Sequence, residues 1–142
     1  MGFVMTKIKL WNGTDEDNAR KGLLRPEEVR TEILDGLVDT GAIMLALPED
    51  VVARLGLPEI DRRPVRVADG RRVILPIAGG LRMEILGRST TCDAYVLPAG
   101  ATPLIGVIPL EALDLVVDPS SGEARTNPAH PDGPEYLLLA AG

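Results

Sequence analysis

Leu37-Val38-Asp39-Thr40-Gly41-Ala42 runs two apolar residues into a carboxylate, then a small hydroxyl residue, a glycine and a second small residue. An apolar strand does not end on an acid without a partner or a task for it, because an ionised carboxylate is costly to bury unpaired. A strand built this way presents the acid at its tip, where it can hold a water molecule. Thr-Gly then turns the backbone so that nearby N–H and O–H groups cradle the carboxylate. A random chain of average composition and this length contains Asp-Thr-Gly in about 3% of cases. The triplet therefore carries weight only together with its flanks.

Upstream, Val29 to Asp39 reads as the strand that delivers the acid, with Gly36 as a bulge or a site of close approach. Before it, Val4, Ile8 and Leu10 at even positions beside Lys7 and Lys9 predict a first strand. Asn12 to Asn18 predicts a polar loop, and Arg25-Pro26-Glu27-Glu28 a second break. Downstream, Pro48 to Leu55 predicts a helix with Pro48 in its first position, Glu49 and Asp50 at the positive end of the dipole, Arg54 near the negative end and Gly56 closing it. Asp69-Gly70, between Arg66-Val67-Ala68 and Arg71-Arg72-Val73, predicts a hairpin over Val65 to Leu75 with a two-residue type I′ turn.

Leu81 to Ile85 alternates strictly and reads as a half-buried strand, and Ala94 to Leu97 continues the sheet. Pro98 to Pro103 is a loop before Leu104-Ile105-Gly106, and Pro109 to Leu113 a short helix. Leu115 to Val117 and Ala124 to Thr126 read as strands around an Asp118 to Gly122 turn. Asn127 to Pro134 is a flexible Pro-rich connector. The apolar run Tyr136 to Leu139 then needs a surface to bury, on its own barrel or across an interface between two chains. Many short strands with turn signals between them give an all-β fold with one or two short helices, a barrel or a sandwich. With no internal repeat or boundary, the expectation is one domain over residues 1–142, its core about 29–126 and a connector and terminal strand over 127–142.

Composition removes several classes. A net charge of −6, from 15 basic and 21 acidic residues, is wrong for a nucleic-acid surface. The one basic cluster, Arg62, Arg63, Arg66, Arg71 and Arg72, reads as a solvated hairpin face. No apolar run is long enough to predict a membrane span. The N-terminus lacks the uninterrupted apolar core of a signal peptide, so a cytoplasmic protein is expected and Asn12-Gly13-Thr14 reads as a turn, not a glycan site. The lone Cys92 rules out a disulfide within the chain and reads as a small strand residue; no structural zinc set is present. The single His130, in the Pro-rich tail, leaves Ser-His-Asp catalysis only a poor, mobile base.

With these elements in order, the chain resembles the retropepsin-like aspartic proteases, the group of retroviral proteases and their bacterial and retroelement relatives. Leu37 to Ala42 looks like the catalytic motif, the Asp69-Gly70 hairpin like the flap, and Leu104-Ile105-Gly106 with its short helix like the apolar-apolar-Gly motif near the family's C-terminal end. Pro48 to Gly56 resembles a helix that many cellular and retroelement relatives carry after the catalytic loop. Gly106 lies 67 positions after Asp39, a spacing comparable to the family's, and the resemblance covers most of residues 30–118.

The resemblance implies a closed β-barrel of the acid-protease type and a peptide hydrolase that needs no metal or organic cofactor. It implies Asp39, Thr40 and Gly41 as the catalytic turn, with Thr40 hydrogen-bonding across a two-fold axis. Ala42, Ala68, Asp69, Gly70, Ile105 and Gly106 are implied at or behind the substrate site, with Gly106 packed behind the catalytic loop and the hairpin closing over bound peptide. The reaction needs two carboxylates sharing one proton and one water, and two acids about 3 Å apart do not both ionise. This chain has one Asp-Thr-Gly; Asp118-Pro119-Ser120-Ser121-Gly122 has a proline at the hydroxyl position and reads as a turn. A two-lobed single chain would need about twice this length. The implied partners are thus a second copy of the chain and a peptide or protein substrate.

The chain departs from the retroviral pattern in places. Ile43 and Met44 stand where another Asp often follows, Val107, Ile108 and Pro109 where an Arg often follows the Gly, and Ala-Asp-Gly-Arg forms a more charged flap tip. A module of this fold that binds peptides without cleaving them, and an ordinary barrel whose Asp39 merely caps a turn, are the alternative readings.

Overall fold

The computed structural model describes residues 3–118 and 120–138. Its elements run β1 (Met5–Asn12), α1 (Gly13–Arg20), a 3-10 turn (Pro26–Glu28), β2 (Thr31–Val38), β3 (Leu45–Pro48), α2 (Glu49–Leu55), β4 (Glu59–Arg66), β5 (Arg72–Ile85), β6 (Arg88–Leu97), β7 (Leu104–Ile105), α3 (Val107–Ala112), β8 (Leu115–Asp118) and β9 (Glu123–Thr126). The protein is mainly β. Seven strands form one sheet in the order β1-β2-β7-β3-β6-β5-β4, β1 also pairs with β5, and β8–β9 is a separate hairpin.

Alternation decides which face of each strand goes inward. In β1, Ile8 and Leu10 are fully buried while Lys7 and Lys9 are exposed. In β5, Leu81, Met83 and Ile85 point into the core. β1 lies antiparallel to β2, with Met5 opposite Leu37 and Trp11 opposite Thr31, and antiparallel to β5 along its other edge. The core therefore reaches back to residue 8, ahead of the expected boundary near 29. β5 is 14 residues long: its first half pairs with β4 in an exposed hairpin arm and its second half joins the core. A register shift between Ala78 and Leu81 marks the change of role.

The helix after the acid motif forms as expected on its apolar face, with Val51, Val52 and Leu55 buried and Gly56 closing it in the left-handed conformation. Pro48, however, ends β3 in an extended conformation and caps the helix instead of opening it. α3 likewise starts at Val107, two residues before Pro109.

The segment expected to be a polar loop, Asn12 to Asn18, is instead the end of β1 and a helix. Asn12 is buried; its side-chain oxygen accepts from the Asp15 N–H at 2.9 Å, and its amide donates to the Leu55 carbonyl at 2.8 Å. That N-cap starts α1, and Asp15 and Glu16 favour its positive end. The helix has almost no apolar face, so hydrophobic periodicity cannot reveal it. Asp15 also accepts from the Arg30 side chain at 2.8 and 3.0 Å and from the Arg30 backbone N–H at 3.1 Å. The Arg30 guanidinium, first through that side-chain hydrogen bond, holds the Asp15 carboxyl below its ordinary 3.8 against a burial that pushes it up. A depressed carboxyl stabilises the fold above its unfolded value and loses that contribution as pH falls through the folded one. Asp15→Asn is therefore expected to lower the Tm by a few degrees at neutral pH. The gap from wild type should close as a thermal melt series is taken below 3.8.

The Pro-rich stretch is tied down, not loose. Asp114 accepts from Asn127 Nδ2 at 3.0 Å and from the Glu135 N–H at 3.2 Å, and pairs with His130 Nδ1. Asn127 foremost, then His130, holds the Asp114 carboxyl below its usual range. Arg88 is buried, and its guanidinium is satisfied by the carbonyls of Leu113, Asp114 and His130. His130 is thus a fixed structural group. The terminal run forms no strand in residues 136–138: Tyr136 donates to the Ala112 carbonyl, while Leu137 and Leu138 are exposed. Leu139 lies outside the described residues. No helix among the described residues is long and apolar enough to cross a membrane.

Candidate active site

β7 is two residues long, yet it fixes the acid loop. It lies between the strand that enters the loop and the strand that leaves it: Leu37 and Val38 pair in parallel with Leu104 and Ile105, and Ala46 pairs antiparallel with Leu104. The Asp39 N–H donates to the Ile105 carbonyl at 3.0 Å, so the ladder holds the acid's own backbone. One step on, Ala42 N–H returns to the Asp39 carbonyl at 3.1 Å and closes the turn. The N–H groups of Val107 and Ile108, at the start of α3, donate to the carbonyls of Ala42 and Ile43 at 2.9 and 2.8 Å. Short, non-local hydrogen bonds thus restrain the loop at both ends.

Gly106 is where the loop and α3 meet. A Cβ there would lie 2.6 Å from Ile43 C, 2.6 Å from Met44 O and 2.8 Å from Ala42 O, all backbone atoms. Its φ of −86° is ordinary, so what requires glycine here is close approach, not backbone strain.

The Asp39 side chain is half-buried and lines a cleft of about 740 Å³. The Gly41 N–H donates to its Oδ1 at 2.9 Å, and a Cβ on Gly41 would crowd that same oxygen at 3.2 Å. Among the described residues no other carboxylate lines the cleft. Thr40 is exposed and makes no side-chain hydrogen bond among the described residues. Ile43 and Ile108, adjacent through their backbone bond, are 65% and 50% exposed beside the acid loop. Such side chains are apolar surface without a cover in the single chain.

The hairpin of β4 and β5 reaches over the same cleft. Pro64 to Ala68 and Leu75 form one wall; Tyr95 and Leu97 of β6, with Met44, Ala46 and Leu104, form the floor and the other wall. The turn is not the expected two-residue type. Gly70 N–H donates to Val67 O, and Val67 N–H donates to Arg71 O, both at 2.9 Å, so Ala68-Asp69-Gly70 is a three-residue loop. A type I′ turn would need positive φ at both Asp69 and Gly70. Only Gly70 has it, at +88°, and the Asp69 carboxylate caps the turn by accepting from the Arg71 N–H at 2.9 Å.

Of the residues expected at the site, Asp39, Gly41, Ala42 and Ala68 line the cleft together. Asp69 and Gly70 sit at the exposed hairpin tip outside its lining. Ile105 is fully buried in the core and Gly106 supports the loop from behind, so neither faces the cleft. Asp118, the other acid after an apolar run, accepts from Ser120 N and Oγ at 2.9 and 2.7 Å in a turn away from the cleft; Pro119 lies outside the described residues. Met44, Tyr95 and Leu97 are cleft residues that no local pattern marks, because they come from strands far apart in sequence. Cys92 is half-buried in β6, and burial foremost pushes its thiol up to about 12, which suits a packing residue and not a nucleophile. Among the described residues no three His, Cys, Asp or Glu side chains group to hold a metal. No protein-family model matches this sequence, and a search of curated proteins finds no match.

Proposed function

We propose that this chain is a homodimeric aspartic endopeptidase with a closed barrel of the retropepsin type, hydrolysing peptide bonds between two Asp39 carboxylates, one from each copy. The observation that carries this reading is a single carboxylate, fixed on a doubly restrained turn, in a cleft of about 740 Å³ whose lining holds no second acid among the described residues. The strand pairings run from β1 through β2, β7, β3, β6 and β5 back to β1, the circuit that a closed barrel needs. The uncovered Ile43 and Ile108 beside the acid loop give a two-fold partner an apolar surface to bury.

The chemistry follows from two equal acids brought together. One, ionised, takes a proton from water as the oxygen attacks the peptide carbonyl. The other, protonated, donates to the carbonyl oxygen as the C=O π pair moves onto it. The tetrahedral intermediate then collapses, its C–N bond breaking as the first acid passes the proton it took from water to the leaving nitrogen. Gly41 N–H donates to one oxygen of each carboxylate, Oδ1, and leaves the other for water. The hairpin adds strand-like backbone hydrogen bonds to the substrate and excludes bulk water from the cleft.

The test is stoichiometry. Sedimentation equilibrium should give a dimer, and titration with a statine-type peptide, which mimics the tetrahedral intermediate, should saturate at one inhibitor per two chains. A monomer that binds one inhibitor per chain would overturn the shared site. Ala42 provides a second check. A hydroxyl at this position is expected to donate a hydrogen bond to the ionised Asp39 carboxylate and favour that form, so Ala42→Ser should move the acid limb of the pH–rate profile downward. An unchanged or raised limb would count against placing residue 42 beside the carboxylate.

A further inference from the structure

The hairpin over the cleft, Glu59 to Arg72, carries five arginines against three carboxylates, in a chain of net charge −6. Three of the arginines are matched: Arg62 with Glu59 at 3.0 Å, Arg63 with Asp61 at 3.1 Å and Arg71 with Asp69 at 2.6 Å. Arg66 and Arg72 have no carboxylate partner among the described residues. They are also directly opposite each other across the β4–β5 ladder. Opposed like charges on neighbouring strands cost a hairpin stability, so a pair of arginines kept in register here is a departure that asks for a function.

Arg66 is held where it can act. One N–H of its guanidinium donates to the Gly70 carbonyl at 2.7 Å, which fixes the group against the turn. Its other N–H groups have no partner among the described residues. Among the described residues Arg66 is the one cation in the cleft lining, where every other side chain except Asp39 and Tyr95 is apolar or absent; Arg72 lies outside that lining and adjoins it through its register with Arg66.

We propose that the Arg66–Arg72 pair is a carboxylate-recognising subsite, and that the protein selects peptides carrying Glu or Asp where the bound strand passes the hairpin. A substrate carboxylate there relieves the repulsion between the two arginines and gains charge-assisted hydrogen bonds from a planar donor. The proposal rests on the peptide-cleaving reading for its site, since two copies would present one such pair on each side of the scissile bond.

The test uses peptides matched except for Glu against Gln, scanned through the positions flanking the cleaved bond, at about pH 6, where a Glu side chain is ionised. Wild type is expected to favour the Glu peptide by about tenfold in kcat/KM at low ionic strength, with the ratio shrinking as salt is added. Arg66→Gln and Arg72→Gln should each bring the ratio towards one, and Arg66→Glu should turn the preference towards a Lys peptide. A wild-type ratio of one at every position, or a preference that survives both Gln variants, would overturn the subsite. If no peptide is cleaved, the catalytic reading fails, and the same pairs are read by fluorescence anisotropy. A Glu preference in binding lost in Arg66→Gln sustains the subsite; equal affinities, or no binding of either peptide, overturn it.

Discussion

Asp39→Asn is expected to leave a folded dimer that still binds peptide but hydrolyses it at least about 10⁴-fold more slowly. The substitution is nearly isosteric. The Asn side-chain oxygen still accepts the Gly41 N–H that Asp39 Oδ1 accepts at 2.9 Å, and the bonds that restrain the loop are all backbone to backbone. What disappears is the ability to take a proton from water and to share one between two acids. Because the substitution falls on both copies at once, the proposed shared site keeps neither acid, Asp39 being the one carboxylate in the cleft lining among the described residues. Circular dichroism, sedimentation and chromatography of a digested peptide read fold, assembly and activity separately. A mixing experiment is sharper. When wild-type and Asp39→Asn chains exchange freely at equal amounts, about a quarter of the dimers hold two carboxylates, so activity per wild-type chain should fall to about half. If a chain acts alone, mixing changes nothing, and the shared-acid mechanism is lost.

Much of this architecture is legible in local sequence, and the exceptions share a physical cause. Ile8 and Leu10 alternating with Lys7 and Lys9, and Leu81, Met83 and Ile85 alternating with Arg82 and Glu84, announce half-buried strands because the side-chain period of a strand is two. α2 is legible from its acidic start, its apolar face and Gly56. α1 is not, since its stability comes from a cap and from the Asp15–Arg30 bond, and Arg30 lies 15 residues from Asp15 in sequence. The anchoring of the Pro-rich stretch is hidden for the same reason: Arg88 is bound by the carbonyls of Leu113, Asp114 and His130, the nearest of them 25 residues away in sequence. Asp39 announces itself through an acid after apolar residues. The walls around it do not, because Pro64, Tyr95 and Leu104 meet only when β4, β6 and β7 are assembled. The turn at residue 70 was open to error because Asp-Gly suits both a two-residue loop and a three-residue loop with glycine at its end. The capping carboxylate of Asp69 goes with the second.

Gly106→Ala is expected to destabilise the fold by about 3 kcal/mol and to abolish activity where the protein still folds. The added methyl would meet Ile43 C and Met44 O at 2.6 Å and Ala42 O at 2.8 Å, well inside contact distance, and all three are backbone atoms that cannot rotate away. By contrast, a Cβ on Gly36 would meet only side-chain atoms, Ile105 Cδ1 at 2.9 Å and Cγ1 at 3.1 Å with Ile8 Cδ1 at 3.4 Å, which can yield by a small shift where backbone cannot. Relief at Gly106 requires α3 to retreat from the acid loop. That retreat would stretch the Val107–Ala42 and Ile108–Ile43 hydrogen bonds, which hold the loop on the side opposite the Asp39 N–H bond to Ile105. Gly36→Ala, which meets side chains and not backbone, should therefore cost less than Gly106→Ala, although both glycines are buried. Denaturant melts of the two variants make the comparison directly, and amide exchange at Val107 and Ile108 reports the loop itself. Equal destabilisation by the two substitutions, or protected amides at 107 and 108 in a folded Gly106→Ala protein, would mean that the acid turn does not depend on this contact. Loss of protection confined to those amides, with hydrolysis gone and the sheet intact, would place the rigidity of the Asp39 turn in the contact between a bare Cα and the backbone of the loop it supports.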